Sequence, residues 1–121
     1  GLLQKLSLNG KNPLFTRWGR WWRMDEEIDI VATDETGVNI LFCDCEWQDK
    51  EMETGVLEKL VEKSEDVEWG IEKRKKHYAA VSRRGFSEEA RLYAVERNIL
   101  LFTLKEMISA VAPEKSKINN Q

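Results

Sequence analysis

The sequence predicts an α/β domain with a central mixed sheet flanked by helices, and three observations predict it. From Glu27 to Trp47 the residues follow the two-residue period of strands, broken once by turn formers. From Gly55 the apolar positions return at helical spacing. Two short apolar runs, His77 to Ser82 and Ile99 to Phe102, are then separated by a capped helical pattern. Strands separated by helices imply right-handed crossovers and a partly parallel sheet with helices on both faces.

The first two strands carry acids where valine or isoleucine would be ordinary. In the first, Ile28, Ile30 and Ala32 fall on one face, and Glu27, Asp29 and Val31 on the other. In the second, Val38 to Trp47, alternation groups Phe42, Asp44 and Glu46 against Leu41, Cys43, Cys45 and Trp47. Asp34-Glu35-Thr36-Gly37 supplies a turn, with Gly37 free to take positive φ, so a hairpin would bring Asp29 close to Asp44 and Glu46. Three carboxylates at such spacing repel by about 4 kcal/mol per pair at an effective dielectric near 20. A hard divalent cation, Mg²⁺ or Mn²⁺, would offset this. Alternatively, the acids are solvated residues of a half-exposed hairpin.

The remaining elements follow in order. Gly1 to Leu8 has the apolar spacing of a helix end, stopped by Asn9-Gly10. Gln48 to Thr54 reads as a polar loop. Gly55 to Glu68 places Val56, Leu57, Leu60, Val61 and Ser64 on one side of a helix, flanked by Lys59 and Lys63, and the helix continues or restarts through Trp69 to Lys76. After the strand at His77 to Ser82 and a turn at Arg83-Arg84-Gly85-Phe86, Ser87 caps a helix with Glu88 and Glu89 in its first turn, running to Arg97 and ended by Asn98. Ile99 to Phe102 is the last strand. Thr103 to Glu106 has a capping-box pattern before a final helix to Val111. The domain is expected over 1–112, with 113–121 a polar tail.

Composition narrows the function classes. The 121 residues are 41% hydrophobic and 34% charged, as expected of one globular domain in the cytoplasm. No run of 18 apolar residues occurs and no secretory pattern opens the chain, so no membrane role is expected. Cys43 and Cys45, with His77 as the lone imidazole, are too few for structural zinc and read as free thiols. No GxxxxGK[ST] phosphate loop occurs, so ATP is not expected here. The formal net charge is −3, which argues against a domain that coats nucleic acid by bulk electrostatics. Local patches remain: Lys73, Arg74, Lys75 and Lys76 beside His77, the pair Arg83-Arg84, and Arg17, Arg20 and Arg23 interleaved with Trp18, Trp21 and Trp22. Such arginines and indoles would stack on bases or hold phosphates, or the tryptophans fill the core while the charges stay solvated.

Taken together, Gly19-Arg20-Trp21-Trp22, Glu27-Ile28-Asp29-Ile30-Val31, the run Ile40 to Trp47 and the Gly85-Phe86 turn carry a resemblance. The chain resembles the uncharacterised domain at the C-terminus of archaeal and bacterial ATPases of the AAA+ type, and through it the PD-(D/E)XK nuclease superfamily of restriction endonucleases and Holliday-junction resolvases. The resemblance implies a restriction endonuclease-like αβββαβ core and matches Asp29 to the first-strand aspartate and Asp44 to the second acidic position. It implies lysine where this chain has Glu46. Some members work with glutamate there, apparently as a metal ligand, and in others the lysine has moved to the following helix, where Lys63 or Lys59 stands. More often such lysines only solubilise. The resemblance also makes the opening residues the tail of a longer helix, and the glycine at position 1 fits a chain excised from a larger protein.

Two functions follow. One is a Mg²⁺- or Mn²⁺-dependent DNA phosphodiesterase with Asp29, Asp44 and Glu46 on the metal and Lys63 assisting. The other is a non-catalytic module of the same fold that binds nucleic acid, a protein partner or its own ATPase domain. Arg20, Trp21, Trp22 and the basic run from Lys73 to Lys76 are the candidate nucleic-acid contacts.

Overall fold

The computed structural model describes residues 15–67 and 74–106. They form a five-stranded mixed sheet with two helices, in the order β1 (Arg17–Arg23), β2 (Glu26–Thr33), β3 (Asn39–Glu46), α1 (Thr54–Ser64), β4 (Lys75–Ser82), α2 (Glu88–Arg97) and β5 (Ile99–Thr103). Spatial order equals sequence order, so β1 and β5 are the edges. The first three strands make an antiparallel meander, while β4 and β5 each lie parallel to the strand before them, as a helical crossover requires. The α/β class is therefore as expected, and βββαβ is present in order. The helix expected before it, the final helix beyond Glu106 and the polar tail fall outside the described residues.

β1 supplies the third strand of the βββ run that the resemblance implies, although the residues themselves mark only β2 and β3. It joins β2 through a two-residue turn, Met24-Asp25, pairing Arg23 with Glu26. Such tight turns favour Asn-Gly or Asp-Gly because the backbone must take positive φ. Here Met24 takes it, at 57°, with its side chain 96% exposed. The second turn matches expectation: Gly37 has φ 76°, and the Asp34 carboxylate accepts from Gly37 N, Thr36 Oγ1 and both nitrogens of Asn39.

Helix ends follow their sequence signals closely. Ser87 Oγ accepts from Ala90 N at the start of α2, and Asn98 closes it in the left-handed conformation at φ 56°. Thr103 and Glu106 form the reciprocal capping box, each side chain accepting from the other's backbone N–H at 3.1 Å. One expectation fails: Lys75 and Lys76 begin β4 instead of ending a helix. Residues 68–73, where a continued helix was expected, are outside the described residues.

The sheet has two differently covered faces. On one, Ile28, Val31, Phe42 and Ala80 meet Leu57 and Leu60 of α1 and Ala90 and Ala94 of α2. The two helices contact each other, so both lie on this side. On the other, Ala32, Leu41, Cys43, Ala79 and Val81 pack with Phe15, and neither helix contributes a residue.

Asp34 gives a pH test of the β2–β3 turn. Burial pushes its carboxyl up, but the bonds from Asn39, Thr36 and Gly37 together hold it below the ordinary 3.8. Its contribution to stability is therefore present above the ordinary carboxylate range and lost as pH falls through the depressed folded value. Asn39→Ala should move the Asp34 titration up towards 3.8, read by carbon-detected NMR of the carboxyl, and shift acid unfolding to higher pH.

Candidate functional site

The site begins with a fault in the sheet. Gly19 pairs with Val31 and Trp21 with Ile28, so Arg20 alone opposes both Asp29 and Ile30. This is a β-bulge, one extra residue on β2, and it corrects the strict alternation read from sequence. Ile28 joins Val31 on the helix-covered face, while Ile30 packs with Ala32 on the other. The signal was present in Ile28-Asp29-Ile30-Val31, where apolar residues occupy both parities of one short strand.

The bulge also ends the ladder with β3. Regular pairing runs from Thr33↔Ile40 to Ile30↔Cys43 and stops. Beyond it the carboxylates do the joining. Asp29 N donates to Asp44 Oδ1 at 3.1 Å, and Cys45 N donates to Asp29 Oδ2 at 2.8 Å. Each aspartate thus satisfies a backbone N–H of the opposite strand, in place of a ladder carbonyl.

Lys63 completes the arrangement from the last turn of α1. Its Nζ lies 2.8 Å from Asp44 Oδ2 and also donates to the Glu27 carbonyl. Both partners are deep, with Asp44 7% and Lys63 9% exposed. Burial raises the Asp44 carboxyl above its ordinary 3.8, outweighing the opposing effects of Lys63 and the Asp29 N–H. Lys59, the other helix lysine considered, is exposed on α1.

Glu46 does not converge with the two aspartates. Alternation puts it on Asp44's side of β3, but its Oε1 accepts from Gln48 N at 3.0 Å and its carbonyl from Arg83 N. Among the described residues no group of three His, Cys, Asp or Glu gathers in a form able to hold a metal ion. A three-carboxylate cation site is therefore not assembled. A two-carboxylate site fits better: Asp29 and Asp44 are hard oxygen donors brought together across the bulge, and Mg²⁺ is ordinarily held by one or two carboxylates plus water. Asp29 Oδ1 makes no hydrogen bond among the described residues, whereas both Asp44 oxygens are engaged.

The expected nucleic-acid contacts separate. Trp21 is buried against Ile28 and Phe42, at 9% exposure, so it serves the core. Arg20 and Trp22 are exposed, and Trp18, not singled out among the site residues from sequence, is exposed beside them. The described members of the second basic run are engaged differently from one another. Lys73 lies outside the described residues, Arg74 donates to the Val67 carbonyl, Lys76 pairs with Glu65 at 3.2 Å, and Lys75 is exposed. Both thiols are free; Cys43 is buried, and a hydrogen bond with Cys45 together with burial raises it well above its ordinary value.

Removing Lys63 tests the pair. Lys63→Met should destabilise the fold by about 3–5 kcal/mol at neutral pH, because it strands a buried carboxylate. Asp44 titrates above the unfolded value, so this group costs stability as pH rises through the window above 3.8, the opposite sign to Asp34. The loss in Lys63→Met should therefore shrink as pH is lowered, and Lys63→Met/Asp44→Asn should recover part of it. Urea unfolding across a pH series reads both; a pH-independent loss would mean that Lys63 acts through packing alone.

With the geometry described, comparisons place the chain among similar proteins. Residues 1–59 match a family model, DUF234, described as archaeal and bacterial proteins of unknown function. An uncharacterised protein of Methanocaldococcus jannaschii is 32% identical over 106 residues, 84% of this chain but 22% of that protein, so the chain spans about a fifth of its length. Among solved structures, a repair endonuclease from Pyrococcus abyssi aligns with a TM-score of 0.49 at 11% identity, over 74% of this chain and 39% of the other.

Proposed function

We propose that this chain is a nuclease-like domain that hydrolyses phosphodiester bonds in DNA, with Asp29 and Asp44 as ligands of Mg²⁺ or Mn²⁺. Lys63 then supplies the positive charge that the PD-(D/E)XK pattern places on β3, where this chain has Glu46. The observation that carries this reading is the Lys63 Nζ to Asp44 Oδ2 contact of 2.8 Å at the bulge. A lysine from the following helix reaches the second acidic strand, as in relatives where the strand lysine has moved. The βββαβ order supports the same reading.

Each residue has a definite task in this mechanism. Asp29 and Asp44 are held against backbone N–H groups, which fixes their orientation before any substrate arrives. A divalent ion there would lower the pKa of a bound water and steady the charge on the phosphate. Lys63 spends two of its three donors on Asp44 and the Glu27 carbonyl, leaving one for a phosphate oxygen. Glu46, whose Oε1 accepts from Gln48 N at the half-exposed end of β3, is left outside the proposed pair. By the resemblance, the longer protein would add an ATPase domain.

A second reading has its own support. Asp44 and Lys63 already neutralise one another inside the protein, and both Asp44 oxygens are engaged. A module that kept the fold without the reaction would look like this, with the acids serving as structural bridges.

Calorimetric titration with Mn²⁺ and Mg²⁺, run beside a supercoiled-plasmid nicking assay, separates the two. Under the first reading, the wild-type chain binds the ion and nicks, Asp44→Asn loses both, and Asp29→Asn weakens binding at least tenfold. No ion binding at millimolar concentration would leave the non-catalytic module.

A further inference from the structure

Among the described residues, the outer face of β1 carries two exposed tryptophans that the acid site does not use. Trp18, Arg20 and Trp22 alternate onto one side of the strand, opposite buried Trp21. Trp18 is 69% and Trp22 68% exposed. Among the described residues β1 is an edge strand, so no described strand pairs with its outer side. Arg17, Arg20 and Arg23 are all exposed along it.

We propose that this row is a stacking platform for single-stranded nucleic acid, with Trp18 and Trp22 taking bases and Arg20 a phosphate between them. The proposal deepens the nucleic-acid reading above by naming the substrate class. The indoles are four residue steps apart, roughly 13 Å at about 3.3 Å per residue, so they are too far apart to stack on each other. Each is free to take a separate base. A base must be unstacked to offer its face to an indole, which duplex DNA does not allow.

Charge identifies the ligand and locates the contact. In a chain of net charge −3, β1 carries three arginines in seven residues and no acid. Arg23 is answered by Asp66 at 3.8 Å and lies opposite Glu26, and Glu27 lies across from Trp22. Arg17 and Arg20 make no ion pair among the described residues, so the anion is held at the Trp18 end. Arginines on an edge strand also discourage self-pairing. That role does not require two exposed tryptophans between them. A second copy paired antiparallel on β1 would set arginine against arginine, which disfavours a dimer as the occupant.

The test is fluorescence anisotropy of labelled oligothymidylate and of a duplex of equal length, in EDTA, so that binding is read whatever the nicking assay gives. The expected result is binding of the single strand at least tenfold tighter than of the duplex. Trp18→Ala and Trp22→Ala should each weaken it about tenfold, within the range of one stacked base. Arg20→Gln should flatten the salt dependence by about one phosphate contact. Lys59→Gln, at an exposed lysine of α1 away from the row, should bind as wild type does, and because EDTA removes any ion the anisotropy reads the platform separately from the acid site. Equal affinity for duplex, or undiminished binding by the double tryptophan variant with an unchanged thermal unfolding profile, would overturn the proposal. Self-association abolished by the double tryptophan variant, with no oligothymidylate binding, would overturn it in favour of a contact between copies.

Discussion

Everything near the parting of β2 and β3 depends on one buried carboxylate having a cation beside it. Asp44 stands on a central strand, facing the side covered by α1 and α2, where an apolar residue would cost nothing to place. An unpaired charge there would be expensive, and burial alone pushes its carboxyl towards the neutral form. Lys63 answers it, and in doing so ties the C-terminal turn of α1 to the bulge of β2 through the Glu27 carbonyl. One side chain therefore links three elements, and the bulge, the crossed aspartates and the seat of α1 hold one another in place.

The bulge gives this linkage its shape. Had β2 stayed regular, Asp29 would have faced Asp44 across a continuing ladder, two like charges on adjacent strands. The extra residue ends the ladder at Ile30 and turns each aspartate towards a backbone N–H of the other strand. Repulsion is exchanged for hydrogen bonding to the ionised groups, which are stronger bonds than neutral ones. The same displacement keeps both sheet faces apolar elsewhere, since Ile28 and Ile30 are sent to opposite sides.

Sequence carried the class and most elements after β2, because local signals govern those. Ser87, Asn98 and the Thr103 to Glu106 box are short-range capping interactions, and each formed as read. Lys63 was legible as a flanking residue of an apolar helical stripe. What stayed hidden was set by pairing between segments. The Met24-Asp25 turn lacks the usual glycine, so no local signal marks where β1 ends and β2 begins. The bulge shifted the register within β2, so the faces read by alternation were wrong for Ile28. Which tryptophan is buried followed from that pairing: Trp21 lies opposite Ile28 and enters the core, leaving Trp18 and Trp22 outside.

The placement of Lys63 bears on what the two aspartates do. When ionised, Asp29 and Asp44 would leave two negative charges where β2 and β3 part, while Glu46 bonds instead to Gln48 N. Lys63 on α1 brings one positive charge to them. A solvated lysine would lie exposed, as Lys59 does. Lys63 is instead buried and spends its donors on the site. Structure alone would also favour that placement, because Asp44 needs a partner whatever its role. Asp29 bridges the strands through Oδ2, which accepts from Cys45 N, yet its other oxygen is free of protein hydrogen bonds among the described residues, next to the neutralised carboxylate. The bridge leaves that oxygen unused, and it is the atom to which the proposed cation would bind.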